Sequence, residues 1–165
     1  MMKNKDMNEW VLVSPWVPKI RYKALAAILK EATKEKGELT LFGLFLPADS
    51  ANVWDLVVAA PEFEKGQMET ISYFVGKMKT HFLYDEHLAL SRITVLEAGD
   101  PVLEAILDAI PSGQRQVEFR DEEFNGYEIK RGYVFKAKRP SENGKLKVKK
   151  KQLKRTLLSR RSVAA

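Results

Sequence analysis

Between residues 19 and 36 the apolar positions Ile20, Ala24, Leu25, Ile28, Leu29 and Ala32 return every three or four residues, and the rest of the stretch is mainly Lys, Arg and Glu. That spacing predicts an amphipathic surface helix, with Pro18 suited to its first turn and Gly37 to its stop. Ahead of it, residues 10–17 (WVLVSPWV) read as an extended entry segment interrupted by proline. The pattern then changes to two short, nearly continuous apolar runs, 39–46 (LTLFGLFL) and 53–60 (VWDLVVAA), separated by turn residues. These predict two strands in a sheet covered on both faces. Residues 64–88 predict one helix with a buried stripe of Met68, Ile71, Val75, Met78 and Phe82. Residues 92–96 (RITVL) predict a third strand. Asp100 and Pro101 then supply an N-cap and a first turn for a helix whose inner face is Val102, Leu103, Ile106, Leu107 and Ile110. Residues 117–119 and 127–137 alternate apolar and polar around Asn125-Gly126, a strong hairpin signal.

The fold class that follows is α/β. A small mixed sheet of about four or five strands is flanked by three helices, with a C-terminal β-hairpin and a basic tail beyond it. Residues 1–137 form the single domain of this reading and 138–165 the tail. After Pro140 the apolar residues become too sparse for a core, so the tail is expected to be disordered or conditionally helical.

Charge sharpens this division. From residue 136 onward there are twelve Lys and Arg against the single acid Glu142, a net of +11; the whole chain is +6, which leaves −5 for residues 1–135. The basic stretch attracts polyanions without regard to sequence. Lys145, Lys147, Lys149, Lys150, Lys151, Lys154, Arg155, Arg160 and Arg161 are its candidate nucleic-acid contacts. No aromatic residue follows Phe135, so base stacking cannot add specificity. An acidic protein surface, including that of another copy, is the competing partner. Trp10, Trp16 and Trp54 are possible anchors of a homodimer.

Other chemistry is thinly represented. The chain has no Cys, which removes disulfides and thiolate metal sites and suits a cytoplasmic protein. No apolar run reaches the ~18 residues of a membrane span, and the first residues lack the apolar core of a signal peptide. His81 and His87 are six apart, off the spacing that puts two ligands on one helix face. Neither a Gly-x-Ser-x-Gly elbow nor a phosphate-cradling glycine loop is present. Glu128-Ile-Lys130 has the form of a nuclease arm, but its partner acid Asp55 is far upstream.

One stretch resembles a known family. Leu41-Phe42-Gly43, a short acidic loop, and Asp55 before Leu56-Val57-Val58 resemble the strand–turn–strand of the minimal nucleotidyltransferase fold, with flanking helices in the same order. The likeness covers residues 19–112. It implies a nucleotide-handling α/β core, but Leu44 stands where that family has Ser, Val53 where it has its first Asp, and the third strand offers Ser91, Arg92 and Thr94 instead of a carboxylate. Holding Mg²⁺ on a nucleoside triphosphate takes two or three carboxylates. The resemblance therefore implies a non-catalytic copy needing no cofactor. The enzyme alternative is metal-dependent phosphotransfer or hydrolysis, in which Asp55, Glu97 and Asp100 gather around Mg²⁺.

Overall fold

The computed structural model describes residues 20–61, 67–111, 113–114 and 116–140. The extended entry segment 10–17 and the tail from residue 141 lie outside these described residues.

Helix α1, Tyr22–Lys36, ends at Gly37, whose φ of 91° and N–H hydrogen bond to the Thr33 carbonyl close the last turn. The two apolar runs become β1 (Leu41–Pro47) and β2 (Trp54–Ala59), antiparallel, with Leu41 opposite Ala59 and Phe45 opposite Asp55. Helices α2 (Gln67–His81) and α3 (Tyr84–Leu88) return the chain to β3 (Leu90–Val95), which runs parallel to β2. Helix α4, Pro101–Ala109, precedes the hairpin of β4 (Val117–Phe124) and β5 (Tyr127–Ala137). The hairpin turns on Asn125 and Gly126, both at positive φ as a tight right-twisted hairpin requires. β5 then pairs antiparallel with β1, giving one mixed sheet in the order β3-β2-β1-β5-β4. The hairpin is thus part of the sheet and not an appendage to it.

α1 and α2 cover one face of the sheet, over Phe42, Leu44, Leu56, Val58 and Phe135. α4 covers the other, over Leu41, Phe45, Val57, Phe119 and Val134. β1 and β2 are buried on both faces, which is why their sequences lack alternation. Glycines let β1 and β5 close up. A Cβ on Gly132 would stand 2.8 Å from a ring carbon of Phe45, and one on Gly43 2.9 Å from the Tyr133 carbonyl oxygen. Gly43 of the Leu-Phe-Gly run therefore has a packing reason of its own.

Two expectations are corrected. The helix expected over 64–88 is interrupted, so the described residues hold four helices in place of three. α2 closes with the Phe82 amide on the Met78 carbonyl, Leu83 is extended (φ −80°, ψ 165°), and the Glu86 carboxylate reaches back to the Leu83 amide to start α3. The buried line of α2 is also rotated. It runs through Thr70, Phe74 and Met78, while Met68 is 73% exposed and Ile71 and Val75 only half-buried. The bulky Phe74, set against Phe42 with ring centroids 6.3 Å apart, decides which way the helix faces.

Among the described residues, no helix is long and apolar enough to cross a membrane. Trp54 is a core residue, 3% exposed and packed on Tyr133, so it is no interface anchor. Trp10 and Trp16 lie outside the described residues.

Candidate functional site

Asp55 is the second residue of β2, and its place opposite Phe45 turns its side chain to the α4 face of the sheet. It is 1% exposed. Such a carboxylate needs partners, and two strands provide them. From β3, Asp55's register neighbour Arg92 donates its Nε to Oδ2 at 3.0 Å. From the first position of β5, the Tyr127 hydroxyl donates to the same oxygen at 2.7 Å. The Tyr127 ring stands edge-on to Phe45, with centroids 6.2 Å apart, and so passes beside the end of β1 to reach β2. Burial first, then the hydrogen bond and charge of Asp55, push the Tyr127 hydroxyl well above the usual phenol range. The hydrogen bond and charge of Asp55 likewise raise Arg92. Oδ2 accepts two donors in a charge-assisted network, which ties β2, β3 and β5 together at one end of the sheet.

Glu97 and Asp100 are elsewhere. β2 and β3 run parallel, with Asp55 level with Arg92 and Val58 level with Val95. Asp55 sits where its strand begins, whereas loop 97–100 follows the end of β3. The rise from Arg92 to Glu97 alone is roughly 16 Å. Asp100 is the N-cap of α4, its Oδ1 accepting the Val102 amide at 2.8 Å. Glu97 is exposed, and Glu104 pairs with Arg139 at 2.9 Å. The fold does not bring the three candidate acids together. Among the described residues no group of three or more His, Asp or Glu could hold a metal ion.

The histidines also separate. His81 Nε2 meets the Glu31 carboxylate of α1, while the His87 ring stands edge-on to Phe82.

Glu86 is a buried carboxylate that the apolar pattern of the chain does not single out. It is 2% exposed and accepts the Leu83 amide (2.8 Å), the Arg21 amide (2.7 Å) and the Arg21 Nε (3.1 Å). Burial alone would raise its pKa; the Leu83 amide and the two Arg21 donors outweigh this and hold it below the usual carboxylate range. The Leu83-x-x-Glu86 spacing is the backbone-seeking half of a capping box and was the available signal. Because the folded value lies below the unfolded one, this stabilisation is complete above the ordinary Glu pKa of about 4.3 and is lost as pH falls through the folded value. Urea midpoints measured from pH 6 to pH 3 should therefore fall on the acid side, and less so in Glu86→Gln.

Three bases at the root of the tail are engaged by the body. Lys136 and Lys138 hold Glu38 at 3.0 and 2.9 Å, and Arg139 holds Glu104 and Asp108. Both lysines depress the Glu38 carboxyl. A groove of about 500 Å³, lined by Leu107, Ile110, Gln114, Ala137 and Arg139 among others, flanks this point. The nine candidate nucleic-acid contacts from Lys145 to Arg161 lie outside the described residues.

Comparison with protein-family models, with curated proteins and with solved structures finds no match to this chain.

Proposed function

We propose that this chain is a non-catalytic binding module of the cytoplasm, a nucleotidyltransferase-like α/β body whose polybasic C-terminal segment contacts nucleic acid. The observation that carries this reading is the segregation of charge. With Lys136, Lys138 and Arg139 paired to the body, residues 140–165 keep nine bases against Glu142, a net of +8, and residues 1–140 are left at −2. A body of that sign has little long-range attraction for phosphates of its own, so the affinity resides in the segment. The non-catalytic part rests on Asp55. In the nucleotidyltransferase resemblance it is the remaining metal-binding carboxylate, and here Arg92 and Tyr127 engage it.

The test is fluorescence anisotropy with a labelled duplex DNA and a single-stranded RNA, comparing the full chain with residues 1–140 across a salt series. Binding by the full chain that weakens steeply with salt, ignores sequence and disappears on truncation supports the reading. Equal binding and equal salt dependence in both proteins refutes it.

A further inference from the structure

Helix α3 has its burial reversed. Its buried side chain is the carboxylate Glu86, while Leu83 at its N-cap, Tyr84 and Leu88 are 60, 76 and 60% exposed. Tyr84 and Leu88 are four apart and share a helix face, with Leu83 beside them. One exposed leucine is ordinary; three large apolar side chains on a single turn mark a surface that something covers. Among the described residues β3, which follows directly, is an edge strand paired with β2 alone.

The chain itself arrives at this place. The Arg21 amide and guanidinium are bound to Glu86, and Arg21 Nη2 donates to the His81 carbonyl at 2.9 Å, just ahead of α3. Ile20, next to Arg21, is 1% exposed and part of the core. The described chain therefore begins at the flank of α3. Residues 10–17, WVLVSPWV, carry six apolar side chains and no charge. Trp16 is five residues from Arg21, a reach of up to about 17 Å, against a length of roughly 7.5 Å for α3. The C-terminal segment is the wrong occupant: the described chain ends beside α4, where Arg139 is held by Glu104 and Asp108, and the sequence that follows is dominated by Lys and Arg.

We propose that residues 10–17 of the same chain dock on the exposed face of α3, with Trp16 against Leu83, Tyr84 and Leu88. The ion pair of the half-exposed Arg21 side chain with the buried Glu86 carboxylate is then the tether that delivers the apolar segment to its site.

Acrylamide quenching of tryptophan emission tests this in a Trp54→Phe background, where Trp10 and Trp16 are the remaining indoles. They should be quenched several-fold less than free indole, and the protection should be lost in Leu83→Ser/Leu88→Ser, two surface changes that leave circular dichroism intact. In case Trp54→Phe unfolds, ¹⁹F spectra of the otherwise native chain labelled with fluorotryptophan give the same answer. Two resonances should move to the solvent-exposed position on the Leu83/Leu88 substitutions, and the Trp54 resonance should stay. Indoles fully quenched from the start, or protection unaffected by the substitutions, overturn the proposal. Protection that vanishes on dilution together with a dimer seen by sedimentation assigns the face to a second copy and overturns it as well.

Discussion

Asp55→Ala lowers the stability of this protein by about 3 kcal/mol, chiefly by leaving the hydroxyl of the partly buried Tyr127 without its acceptor. The two partners contribute unequally. The Arg92 side chain is 63% exposed, so water replaces most of what Asp55 gave it, and its share is under about 1 kcal/mol. Tyr127 is mostly covered, and a stranded donor there costs about 1–3 kcal/mol. At the size of this chain the melting temperature should fall on the order of 10 °C. Asp55→Asn keeps the volume and an oxygen for Tyr127, and should cost less than Asp55→Ala. Tyr127→Phe should cost about 1–2 kcal/mol, since it removes the donor but leaves Asp55 its arginine. Urea titration with a common slope checks the series. A free functional carboxylate would behave in the opposite way, because removing an uncompensated buried charge is neutral or stabilising.

Removing residues 141–165 should have the largest effect on binding. If six of the nine bases from Lys145 to Arg161 neutralise phosphates of a duplex, log affinity falls against log salt with a slope of about −5. Between 50 and 200 mM salt that is a loss of roughly a thousandfold in the full chain. The truncated chain should show a slope near zero and weak binding throughout, because what remains carries −2. A point change such as Lys150→Ala should reduce the slope by about one, equally for all sequences. The absence of aromatic residues after Phe135 removes the stacking that would make single strands preferred.

How much of this was legible in the chain depended on how local each determinant is. α1, β1, β2, β3, α4 and the hairpin follow from periodicity, caps and the Asn125-Gly126 turn, all of which act within a few residues. The break between α2 and α3 did not, because Phe82 and Leu83 continue an apolar helical pattern. It is Glu86 that captures the Leu83 amide and, through Arg21, a residue 65 positions away in sequence. The insertion of β5 beside β1 was equally hidden, since the hairpin signal pairs β5 with β4 and says nothing about its other edge. Asp55 shows the consequence. Its partners Arg92 and Tyr127 are 37 and 72 residues away, and they converge on it only once the strand order and register exist. The separation of Asp55 from Glu97 and Asp100, by contrast, was half visible. One acid opens its strand and the others follow theirs, so parallel pairing of the two strands puts them at opposite ends.

In the proposed function the Asp55 carboxylate serves the sheet and no ligand. Calorimetric titration of the full chain and of Asp55→Asn with Mg²⁺ and a nucleoside triphosphate tests it most directly. Both proteins are expected to give the same heats, with any heat that does arise coming from the basic segment and vanishing in residues 1–140. A saturable heat in the native chain that is lost in a folded Asp55→Asn protein would contradict it.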